Sequence, residues 1–127
     1  LVECNAAQLN QVFMHLLTNA IDAIEASQAP SKGTITVKTS VMDDAWVHVS
    51  IHDNGIGISE QVQSRMFDPF FTTKPVGQGT GLGLAVSYRV MEQQGGQLEC
   101  RSQLNKGAEF TVIVPVSAVG AEAANAA

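Results

Sequence analysis

Three sets of residues in this 127-residue chain have types and spacings that could do chemistry. The first is the stretch GQGTGLGL, in which Gly77, Gly79, Gly81 and Gly83 stand at every second position. Glycines that enter a helix let the backbone come close to an anion. The helix N-terminus adds unpaired N–H groups and the positive end of its dipole. Two familiar nucleotide loops do not match. The dinucleotide fingerprint needs another glycine spacing and a strand just before it, and no Gly-Lys-Ser/Thr closes the run as a P-loop requires. Taken alone, the glycines are also compatible with a flexible surface loop.

The second set is HDNGIGI at 52–58. Asn54-Gly55 by itself is a hairpin-turn signal. Strand alternation through WVHVSIH, however, puts Asp53 on the same face as Val47, Val49 and Ile51. A carboxylate on an apolar face is costly unless it has a dedicated donor. An exocyclic amine such as that of adenine is one such donor, beside a glycine turn with room for a flat ring. The third set is Gln11, His15, Asn19 and Asp22, spaced four, four and three apart in one polar line along a helix. A solvated helix edge is the ordinary account of such a line. Asn and His are mediocre helix formers, and here both stand mid-helix. An amide oxygen and an imidazole one turn apart can share a divalent cation.

The elements that must position these groups are legible from hydrophobic periodicity. Residues 1–4 are a candidate short strand, and Asn5 with Gln8 forms a candidate capping box. Leu9, Val12, Phe13, Leu16, Leu17, Ala20, Ile21 and Ile24 recur at helical spacing, which predicts a helix to about Ala26. Residues 34–41 and 46–52 alternate as strands around a turn at MDDA. A short helix is expected from Ser59 through Met66, and 68–80 is a long loop rich in Pro, Gly and Thr, expected to be mobile. A helix from Leu82 to about Gln94 stops at Gly95-Gly96, and strands follow near 97–102 and 108–114, with Phe110, Val112 and Val114 facing one way. This order predicts an α+β two-layer sandwich, with a domain over 1–116 and an Ala-rich, poorly ordered tail over 117–127.

Composition narrows the partners. Twelve acidic residues against seven basic ones give a net charge of −5, which argues against a nucleic-acid surface. With so few cations, a bound triphosphate would need a metal ion, backbone N–H groups and one lysine. No apolar run reaches the roughly 18 residues of a membrane span, and no signal-peptide pattern opens the chain. Cys4 and Cys100 have no metal-type spacing and read as two free thiols of a reducing, cytoplasmic compartment, with a single disulfide between them as the alternative. Leu1 in place of Met suggests a fragment of a longer parent, either soluble or membrane-anchored.

Together these stretches resemble the ATP-binding catalytic domain of sensor histidine kinases, within the GHKL (Bergerat-fold) superfamily. QVFMHLLTNAIDAI looks like the N box, DNGIGI like the G1 box, MFDPFF like the F box and GTGLGLAV like the G2 box, and GAEFTVIVP is similar to the closing strand. The resemblance implies a mixed, mostly antiparallel sheet with helices on one face. It implies ATP and Mg²⁺ as ligands, with Asn19 and, by position, His15 at the metal. Asp53 would accept from the adenine amine, with Gly55 and Gly57 shaping the pocket. Residues 68–80 would form the ATP lid, hinged on 67–71. Gly79, Thr80, Gly81, Leu82 and Gly83 would offer N–H groups to the phosphates. Lys74 would supply the lid's one cation, and Asp22, Thr72, Thr73 and Thr111 complete the expected nucleotide-contacting set.

His15 departs from the usual pattern, since most sensor kinases carry a second Asn there. The basic residue often found one turn after the N-box Asn is also lacking, with Asp22 and Ala23 in its place. The implied function is donation of the ATP γ-phosphate to a histidine on a dimerisation helix outside this chain, with a response regulator downstream. A fragment of this kind is expected to be monomeric, with no membrane contact of its own and no complete autokinase reaction. Two alternatives stand beside it: an ATP hydrolase of the gyrase, MutL or chaperone type, and a degenerate nucleotide-sensing module.

Overall fold

The computed structural model describes residues 6–27, 32–68 and 83–116. In chain order these form α1 (Ala6–Ser27), β1 (Ile35–Met42), β2 (Trp46–Asp53), α2 (Glu60–Gln63), α3 (Gly83–Gln93), β3 (Gln97–Gln103) and β4 (Gly107–Pro115). The four strands make one sheet in the order β1-β2-β4-β3, with every pair antiparallel. The expected parallel component is absent among the described strands, and the candidate strand at 1–4 lies outside the described residues.

Local chemistry explains where the elements stop. α3 ends because Gly95 takes a left-handed φ of 74° while the Gly96 N–H donates back to the Met91 carbonyl at 2.9 Å. That six-to-one bond satisfies a carbonyl that the helix end would leave unpaired. At the start of α2 the Ser59 hydroxyl caps the helix by accepting from the Val62 N–H at 3.3 Å. α2 is shorter than its sequence suggests. It stops after Gln63, and the chain turns through 64–67 to drop Met66, only 5% exposed, into the core.

The β1–β2 hairpin turns on Asp43 and Asp44, both with φ of 55°, a conformation that a short polar side chain tolerates. Between the layers, α1 and α3 pack on each other and on the same sheet face. Val12 and Leu16 of α1 and Val90 and Met91 of α3 meet Ile51, Leu98, Phe110, Val112 and Val114 of the sheet. This core is the platform on which the candidate ligand-binding residues are set.

Candidate functional site

Asp53 is the last residue of β2, one step beyond the alternating Val47, Val49 and Ile51, so its side chain turns toward the helices. It is 2% exposed. Its Oδ1 accepts the Gly55 N–H at 2.9 Å. Burial pushes the carboxyl above its ordinary range. The Gly55 N–H, the neighbouring His52 and the Ala108 N–H each pull partly back. An ionised carboxylate has about four acceptor positions, so capacity remains for an incoming donor.

The turn after Asp53 is braced from three sides. The Asn54 side-chain oxygen accepts the Thr34 N–H at 2.8 Å, and its amide donates to the Lys32 carbonyl at 3.0 Å. The Ile56 N–H donates to the Ala23 carbonyl of α1 at 3.1 Å, and the Ile56 carbonyl accepts the Asn105 N–H at 2.5 Å. The Ile58 N–H donates to the Ser102 hydroxyl, which in turn donates to the Gly107 carbonyl, both at 2.7 Å. The glycines are needed by this bracing. A Cβ on Gly55 would sit 2.5 Å from the Ala23 carbonyl carbon. One on Gly57, whose φ is 73°, would lie 2.0 Å from the Gln103 carbonyl oxygen.

On α1, His15, Asn19 and Asp22 are all half-buried while Gln11 is exposed, so the polar line enters the protein at its middle. The His15 Nδ1 lies 3.3 Å from the hydroxyl of Ser87 on α3, a residue only 1% exposed. Asn19, one turn further along, makes no side-chain hydrogen bond among the described residues. Two described features flank the 69–82 stretch. Gly83 is the first residue of that helix, and Phe67 stacks on Tyr88 with ring centroids 5.0 Å apart at 27°. Thr72, Thr73, Lys74, Gly79, Thr80, Gly81 and Leu82 lie outside the described residues.

The structure does not bring Thr111 to this site. It pairs with Ser50, and its hydroxyl stands 3.3 Å from the Ser50 hydroxyl on the sheet face opposite Asp53. Residues that sequence reasoning did not select also shape the site. Ser87 fixes one edge of His15, Ala23 receives the Asp53 turn, and Ser102 links that turn to the β3–β4 connection. These partners are far away in sequence, 72 positions in the case of His15 and Ser87.

Residues 4–118 match the model of the histidine kinase-, DNA gyrase B- and HSP90-like ATPases. The chain belongs to this ATPase family. Its sequence is 39% identical over 115 residues to sporulation kinase E of Bacillus subtilis (strain 168), covering 91% of this chain and 15% of that protein. It is 42% identical over 112 residues to the signal transduction histidine-protein kinase AtoS of Escherichia coli (strain K12), covering 88% of this chain and 17% of that one. This ATPase-family chain therefore spans less than a fifth of the length of these two relatives.

Among solved structures, a nucleotide-free form of the catalytic domain of histidine kinase ThkA superposes with a TM-score of 0.75 at 31% identity. That match covers 91% of this chain and 72% of ThkA's. Full-length ShkA in complex with AMPPNP gives 0.72 at 30% identity, covering 85% of this chain and 21% of ShkA's. The α+β fold expected from the sequence is thus the fold of histidine kinase catalytic domains. No described helix is long and apolar enough to cross a membrane.

Proposed function

We propose that this chain binds Mg-ATP and presents the γ-phosphate to a histidine carried elsewhere in a sensor kinase parent. The observation that carries this proposal is Asp53, a buried carboxylate on an apolar sheet face with one oxygen held by the Gly55 N–H and acceptor capacity left over. The adenine amine fits that capacity, and the braced 54–58 turn holds the carboxylate still while the base enters. Preorganisation of this kind lowers the ordering cost of binding.

The donor set also suits a magnesium ion. Among the described residues no cluster of three or more His, Cys, Asp or Glu could cage a metal. Asn19 offers an amide oxygen with no partner among the described residues, and Mg²⁺ is commonly held by few protein oxygens together with substrate phosphates. When bound, the ion would neutralise triphosphate charge that this chain of net charge −5 cannot meet with cations of its own. The N-terminal end of α3 and the glycines before it would supply N–H groups to the phosphates.

Phosphoryl transfer asks a protein mainly for positioning and charge stabilisation. None of the three histidines is placed as an acceptor: His15 is engaged with Ser87, and His48 and His52 lie on the sheet face away from Asp53. The acceptor and the dimerisation helices then belong to the rest of the parent, and a response regulator takes the phosphoryl group onward. Calorimetry with Mg-ATP on the wild type and on Asp53→Asn tests the proposal. The wild type should bind. The variant, which places an amide N–H or an uncharged oxygen against the adenine amine, should bind about 100-fold more weakly. Equal affinities would remove Asp53 from the nucleotide site.

A further inference from the structure

The His15–Ser87 contact determines more than the packing of two helices. Ser87 is 1% exposed, and among the described residues its hydroxyl has a single partner, the His15 Nδ1. A buried hydroxyl whose proton points at nothing loses a hydrogen bond and keeps the desolvation cost. The arrangement that satisfies both groups has the Ser87 O–H donating and Nδ1 accepting. The opposite arrangement, with Nδ1–H donating to the serine oxygen, leaves the serine proton without an acceptor. A neutral imidazole carries one proton, so if Nδ1 accepts, Nε2 is protonated.

Placement gives this tautomer a use. Ser87 follows Gly83, the first residue of α3, by one helical turn, so the ring of His15 lies beside the helix end toward which the glycine run leads. His15 also stands one turn from Asn19 on α1. Its Nε2 has no partner among the described residues. An Nε2–H has no lone pair for a metal, but it is a good donor to an anionic oxygen.

We propose that Ser87 is a positioning residue that holds the His15 proton on Nε2, so that His15 gives a hydrogen bond to an oxygen of the bound triphosphate and does not ligate the metal. This rests on the nucleotide assignment above and adds to it the role of the one N-box position that departs from the usual asparagine.

Three measurements test it. Long-range ¹⁵N–¹H spectra of the ligand-free chain, at a pH where the ring is neutral, should show His15 protonated at Nε2 alone, with Nδ1 shifted by the hydrogen bond it accepts. Ser87→Ala should lose that shift and bring in the Nδ1–H form as the minor tautomer of a free imidazole. Alanine is a good helix former and only removes an oxygen, so the variant should fold. Ser87→Ala should also bind ATP about 3–10-fold more weakly while binding adenosine as the wild type does, since one hydrogen bond to a charged group is affected. Pulsed electron paramagnetic resonance of the Mn²⁺·ATP complex should show no coupling to a coordinated imidazole nitrogen.

A ring protonated at Nδ1, or a coordinated nitrogen on Mn²⁺, would overturn the inference while leaving nucleotide binding intact. A wild type that binds neither ATP nor adenosine would overturn the nucleotide assignment and the phosphate contact together. The ligand-free spectrum would still report the tautomer in that case, so the two failures can be told apart.

Discussion

On one face of β2, Val47, Val49, Ile51 and Asp53 turn toward the helices. On the other, His48, Ser50 and His52 lie opposite Ile113, Thr111 and Glu109 of β4. The residues alternate along a single strand, yet the two faces give their polar groups different uses. Ser50 and Thr111 meet each other through their hydroxyls, and His52 is exposed to water. Asp53 has apolar neighbours and one short backbone bond, so its protonation answers to burial. A polar side chain placed where water cannot satisfy it stays open to another partner, and that is why the proposed binding role falls to Asp53 and not to the outer face.

The largest change expected from breaking this arrangement is at Gly57. Gly57→Ala must relieve both a left-handed φ and a collision with the Gln103 carbonyl, and should cost about 3 kcal/mol of unfolding free energy by urea titration. Asp53→Asn should leave the fold in place and weaken ATP binding, as set out above. A pH series sharpens the same contrast. The folded carboxyl titrates above its unfolded value, so its contribution to stability is full below about pH 4 and is lost as pH rises through the folded value. The ligand-free wild type should therefore lose more stability between pH 4 and pH 7 than Asp53→Asn does.

ATP should act in the opposite sense, binding more weakly as pH falls and the carboxylate takes up a proton. Cys100 is the next test. Burial, aided by the charge of Asp53, pushes its thiol up to about 12, so it should react with a disulfide reagent at neutral pH far more slowly than a free cysteine. The smallest effect belongs to the other face. Thr111→Val should change stability by no more than about 1 kcal/mol and ATP affinity by less than about twofold. A large loss of affinity there would show that the outer face takes part in binding.

Much of this was legible in the sequence because it follows from period. Alternation placed Asp53 on the inner face, helical spacing placed the Gln11–Asp22 line, and Gly95 marked the end of α3. The same alternation, carried through Phe110, Val112 and Val114, puts Thr111 on the far face, so that signal was present before the structure supplied it. What could not be read are contacts between distant positions. Nothing local says that Gly55 must abut Ala23, that Gly57 must clear Gln103, or that His15 will meet Ser87. The premature end of α2 was hidden for a related reason, since burial of Met66 outweighs helical continuity there.

The strand order has a consequence for how the molecule assembles. β1–β2 and β3–β4 are hairpins closed by short turns, while the central β2–β4 seam joins residues from the two halves of the chain. The local hairpins can form early, and the seam must wait for a long loop to close. Asp53 pairs with Ala108 across that seam, so this carboxylate takes its buried place only once the two halves of the chain have joined. Closure entropy grows only logarithmically, at about 0.6 kcal/mol for each doubling of the connection. Length changes between residue 68 and α3 should therefore cost little stability, whereas the braced 54–58 turn and the buried Met66 leave no such freedom before it.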